Sequence, residues 1–71
     1  MMQTILGANG TIATELAKEL KLRFTSDIRL VSRHPQKVHE TDQLLPADLL
    51  DADQTDAAVN GSDIVYFTVG L

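Results

Sequence analysis

The sequence predicts an α/β fold, a parallel sheet of about four strands in the order 3-2-1-4 with flanking helices. Three observations carry that prediction. Short apolar runs alternate with segments of helical period, which is the pattern of strands joined by crossover helices. A glycine-rich turn, Gly7-Ala8-Asn9-Gly10, separates the first apolar run from the first helical segment. The last run, Ile64-Val65-Tyr66-Phe67-Thr68-Val69, is apolar almost throughout, as expected of a strand covered on both faces.

Each element has its own signal. Met2 to Leu6 is a short apolar run that ends at Gly7 and reads as a buried strand. Helix one follows, with Ile12, Ala13, Leu16, Ala17 and Leu20 forming an apolar stripe and Lys21 and Arg23 placed to suit the negative end of its dipole. Ile28 to Ser32 is the second strand, stopped before His34-Pro35 because proline cannot continue a ladder. Gln43 to Pro46 is a short third strand suited to a sheet edge. Asp51 is a good N-cap, with Gln54 three residues on completing a pair resembling a capping box. The second helix is expected over about Asp53 to Val59, with Gly61 just past its C-cap. The strand from Ile64 to Val69 closes the order, and the first two strands with their helix make one βαβ unit of roughly thirty residues.

Composition excludes several classes. At 71 residues the chain is one small domain at most, and such a chain buries only about 60% of its unfolded surface. A net charge of −4 argues against a general nucleic-acid binder, which carries a basic face. The chain has no cysteine, so neither disulfides nor thiolate metal sites are available. His34 and His39 have no companion at ligand spacing. The N-terminus lacks the basic region of a signal peptide, and no apolar run is long enough to span a bilayer. The expectation is a cytoplasmic protein with neither membrane nor nucleic-acid partners.

The glycine turn suggests a ligand. Gly7 lets the chain turn sharply off the first strand, Gly10 leaves room for a pyrophosphate against bare backbone, and Ala13 lets the helix pack close to the sheet. The free amides of Thr11 and Ile12 would face the phosphates, with the helix dipole adding a favourable field. The alternative is a plain strand-to-helix turn that needs glycine for backbone reasons alone. Where an NAD site usually carries an acidic residue for the ribose 2′-hydroxyl, this chain has Ser32 followed by Arg33, with Lys37 nearby. A guanidinium binds a 2′-phosphate well, which favours NADP over NAD, unless Arg33 is a solvated loop residue. Asp48, just after the third strand, is either an acceptor for an adenine amino group or a turn aspartate.

Across essentially all its length the chain resembles the N-terminal segment of an atypical or extended short-chain dehydrogenase/reductase, of the NAD(P)-binding, epimerase-like or NmrA-like kind. The resemblance rests on Gly7-Ala8-Asn9-Gly10-Thr11-Ile12-Ala13, on Val31-Ser32-Arg33-His34-Pro35-Gln36-Lys37, on Ala47-Asp48-Leu49-Leu50-Asp51, and on Val59-Asn60-Gly61-Ser62-Asp63-Ile64-Val65. It implies a partial Rossmann fold with a dinucleotide held by Gly7, Asn9, Gly10, Thr11 and Ile12. It further implies Ser32 and Arg33 at the ribose, Asp48 and Leu49 at the adenine, and Gly70 beside the cofactor ribose after the fourth strand. Ala13 stands where the family has a third glycine.

The family's catalytic tyrosine and lysine, four residues apart, have no counterpart. The single tyrosine, Tyr66, lies inside a predicted strand with Gly70 four residues on. No catalytic or metal-binding residue is therefore assigned. Family members are several times longer, so residues 1–71 are expected to be the N-terminal half of a dinucleotide-binding domain, truncated after its fourth strand. The leading function is the ADP-side grip of an NADP-preferring oxidoreductase or nucleotide-sugar-epimerase-like protein. A non-catalytic NADP sensor and a fragment with no ligand of its own are the alternatives. The apolar fourth strand, left at an edge, is expected to drive self-association.

Overall fold

The structure is a computed structural model that describes residues 2–7, 11–24 and 27–68. Its elements run β1 (Gln3–Leu6), α1 (Thr11–Arg23), β2 (Ile28–Ser32), β3 (Gln43–Pro46), α2 (Ala52–Val59) and β4 (Ile64–Phe67). All three strand pairings are parallel, and the sheet order is β3-β2-β1-β4. This is a partial Rossmann α/β fold.

The period-two alternation of the strands divides the core between the two faces of the sheet. Ile5, Ile28 and Leu30 point to one face and pack with Ala13, Ala17 and Leu20 of α1, with Leu44 and Tyr66 at the margin. Leu6 and Val31 point to the other and pack with Ala47 and with Ala58 of α2. Removing each of the larger aliphatic side chains from water stabilises the fold by about 1.5–3 kcal/mol. The α2 face is the thinner of the two, because this short helix buries only Ala58.

The apolar stripe of α1 departs from expectation at one position. Ile12 is 56% exposed, whereas Leu16 packs at the margin of the core and Leu20 is buried within it. At 3.6 residues per turn, a row spaced by four drifts slowly round the axis. The row enters the core only toward its C-terminal end, and Ile12 stands clear of the sheet.

The expected cover of the last strand also changes. Ile64, Val65 and Phe67 are all substantially exposed, because β4 lies at the sheet edge with β1 as its hydrogen-bonded neighbour. Only Tyr66 turns inward, its hydroxyl donating to Gln3 Oε1 at 3.0 Å. The strand ends at Phe67, although Thr68 N continues the ladder to Leu6 O at 3.0 Å. Val69 lies outside the described residues.

The turn chemistry matches the sequence. Gly61 has φ +80°, the left-handed conformation that favours glycine, immediately after the C-cap Asn60 of α2. Asp51 caps the N-terminus of α2 with its carboxylate. Gln54 pairs with it, its Nε2 donating to Asp51 Oδ2 at 3.3 Å, and its Oε1 also reaches back past the cap to accept from Asp48 N at 2.8 Å.

Candidate functional site

A cleft of about 380 Å³ opens over the carboxyl ends of the strands, lined by Gly7, Ser32, Arg33, Ala47, Asp48, Leu49, Leu50 and Phe67. In open parallel sheets this end, where connections leave in opposite directions, is where ligands bind. Here β1 lies between β2 and β4, and Gly7 at its end is part of the cleft wall.

Backbone bonds beyond the strand ends fix the rim. Gly7 N donates to Val31 O at 2.8 Å and Ala47 N to Ser32 O at 2.9 Å. The Thr68 hydroxyl lies 2.8 Å from Leu6 O and 3.1 Å from Gly7 O, tying the start of the glycine turn to the end of β4. Gly7 itself has φ +84°, so a β-carbon there would be strained.

Ser32 and Arg33 arrive together from β2. Ser32 Oγ is buried with no hydrogen-bond partner among the described residues. Arg33 extends outward, its Nη2 lying 3.8 Å from Asp48 Oδ1, with the two side chains 66% and 44% exposed. A pair so exposed is weak and leaves the guanidinium available to another anion. The loop from Arg33 to β3 is organised by the buried Asp42, whose Oδ2 accepts from Val38 N at 3.0 Å and His39 N at 2.7 Å. His39 Nδ1 is 3.4 Å from Asp42 Oδ1, without a well-formed hydrogen bond. Lys37 donates to Glu40 O at 3.3 Å and does not line the cleft.

Asp48 braces its own turn while its side chain stays partly exposed on the cleft. Its Oδ1 accepts from Leu50 N at 2.9 Å, and its backbone O accepts from Asp51 N at 3.0 Å. That arrangement holds Leu49 and Leu50 on the cleft wall.

The cleft thus gathers Gly7, Ser32, Arg33, Asp48 and Leu49 from among the positions singled out in the sequence. Thr11 and Ile12 form the first turn of α1 and do not line it. Asn9, Gly10 and Gly70 lie outside the described residues. Sequence reasoning missed Ala47, Leu50 and Phe67 as wall residues. Their signal was an apolar pair, Leu49-Leu50, in an otherwise polar turn, together with the parallel register that sets Phe67 beside Leu6.

A parallel sheet in this order, with a cleft at its carboxyl end and a glycine of positive φ at the end of β1, defines a dinucleotide-binding Rossmann domain. The chain belongs to the NAD(P)H-binding family, which matches residues 7–71. It is also similar to a Rossmann-fold NAD(P)-binding family protein from Shigella flexneri, with a TM-score of 0.76 and 31% identity over 100% of this chain. The match takes in 39% of the Shigella chain, so this chain spans well under half of that protein's length. No curated protein sequence matches. The residues present fit a nicotinamide dinucleotide: a glycine of positive φ turning off β1, a buried hydroxyl in need of a partner, and an available guanidinium at the rim.

Proposed function

We propose that the chain grips the ADP end of NADP as the N-terminal half of a larger dinucleotide-binding domain, belonging to an oxidoreductase or a nucleotide-sugar-epimerase-like protein. The observation that supports it is the pairing of Ser32 and Arg33 on the cleft wall, where a carboxylate would select NAD. A 2′-phosphate would take Arg33 from its loose contact with Asp48, exchanging a screened pair for charge-assisted hydrogen bonds. The amides of Thr11 and Ile12 and the α1 dipole would face the pyrophosphate, with Asn9 and Gly10 in the turn before them and Gly70 beside the ribose. Asp48 and Leu49 would border the adenine. When bound, the cofactor supplies hydride transfer; this chain's part is to orient and hold it.

Arg33→Ala tests the assignment. Hydrogen bonds to a charged group are worth about 1.5–3 kcal/mol, so NADPH affinity should fall roughly ten-fold or more with NADH little changed. Equal losses for both cofactors, read by calorimetric titration, would refute the 2′-phosphate role.

Self-association is the second part of the proposal. The exposed side chains of Ile64, Val65 and Phe67 on an edge strand support pairing with another copy through β4. Sedimentation at micromolar concentration should show dimers or larger species, reduced to monomer by Val65→Lys. A monomeric parent chain would remove this part.

A further inference from the structure

A second pocket lies apart from the cofactor cleft. It has a volume of about 250 Å³ and is lined by Arg29, Gln43, Leu44, Leu45, Ala57 and Asn60, none of which borders the cleft. Its walls come from β3 and from the C-terminal end of α2, with Arg29 contributed by β2.

The pocket's guanidinium is held in a fixed orientation. Arg29 Nε donates to Gln43 Oε1 at 2.6 Å, and Nη1 donates to Ala58 O and Asn60 O, both at 2.8 Å. A guanidinium has five N–H donors, and these bonds use three of them. The two on Nη2 have no acceptor among the described residues. Because Arg29 engages Oε1 of Gln43, the Gln43 Nε2 is left as a further donor. Charge then bounds the ligand. The carbonyls bound by Nη1 lie at the negative pole of the α2 dipole and offset part of the positive charge. What remains suits one negative charge and not two, since no other basic residue lines the pocket. Leu44, Leu45 and Ala57 supply apolar wall.

We propose that this pocket binds a small monocarboxylate with a short apolar tail. One carboxylate oxygen accepts from Arg29 Nη2, and the side-chain amides of Gln43 and Asn60 serve the other. The tail lies along Leu45 and Ala57. A few polar groups set among apolar walls give such a ligand both orientation and hold. With the guanidinium already oriented, little ordering is needed when the acid enters. The site is independent of the cleft and stands whether or not the cleft takes NADP.

The test follows the backbone amide signals of the 71-residue chain by NMR as butyrate is added, with butanol and inorganic phosphate as comparisons. Butyrate should shift the amides of Gln43, Leu45, Ala57 and Asn60 saturably and leave those of Gly7 and Asp48 in place. Butanol lacks the charge and should bind roughly ten-fold or more weakly. Ala57→Phe fills the pocket from an exposed position on α2 and should abolish the shifts while the chain still melts cooperatively. Asn60→Ala should weaken butyrate by a smaller factor. If butyrate leaves these amides unmoved, or if folded Ala57→Phe binds it as well as the parent, the pocket is not a site. If butanol or phosphate shifts the same amides equally well, carboxylate recognition is overturned.

Discussion

The two helices of this chain begin in opposite ways. At the start of α2, Asp51 Oδ1 accepts from Asp53 N at 2.9 Å and from Gln54 N at 3.2 Å, and Asp53 adds a second negative charge to the first turn. The chain supplies its own anion to the positive end of that dipole. The first turn of α1, beginning at Thr11, contains no acidic residue. A helix that provides its own counter-charge is finished as a structural element. One whose first turn lacks it remains suited to an anion from outside, and this one follows directly from the glycine turn after β1.

That contrast can be tested from either side. The largest effect is expected from Thr11→Asp, which gives α1 the kind of charge that α2 already has. A carboxylate close to the pyrophosphate should weaken NADPH roughly ten-fold or more at low salt, while thermal stability holds or rises slightly. If affinity is unchanged, the start of α1 takes no part in binding. Asp51→Ala makes the reverse change. Losing the cap should lower stability by about 1 kcal/mol, or roughly 4–8 °C in Tm for a domain of this size. Because Asp51 does not line the cleft, NADPH affinity of the folded chain should change little. Asp53→Asn should show the smallest effect, a loss of about 0.3–1 kcal/mol that diminishes with salt. A larger loss at high salt would mean that Asp53 acts through something other than the dipole.

These helix starts also show what can be read from the sequence. Asp51 and Gly61 were legible because capping and positive φ are local demands, met within a few residues. The bounds of β2 and β3 were legible for the same reason, since Pro35 and Pro46 punctuate them. Ile12 was misplaced because a helical wheel shows which residues share a face but not how far the sheet extends beneath it. The exposure of Val65 and Phe67 depends on what lies beside and over β4, which an apolar run cannot report. On the cleft wall, Gly7, Ser32 and Arg33 had been singled out by spacing, and Asp48 and Leu49 by the family resemblance. Phe67 was not, since its place on the cleft follows from its pairing with Leu6, 61 positions earlier.

The far end of α2 has a different dependence. Its last turn contains no basic residue, and Arg29 of β2 takes that place, with Nη1 2.8 Å from both Ala58 O and Asn60 O. The same guanidinium reaches Gln43 Oε1 on β3 at 2.6 Å. A single side chain from the middle of the sheet thus completes a helix about thirty residues later in the chain. The backbone closes the last turn of α2 through Asn60 N to Ala57 O and Ser62 N to Val59 O, and Arg29 ties the end so formed to the sheet. Replacing Arg29 should therefore loosen two places at once, the end of α2 and the contact between β2 and β3, and hydrogen exchange at both would report it.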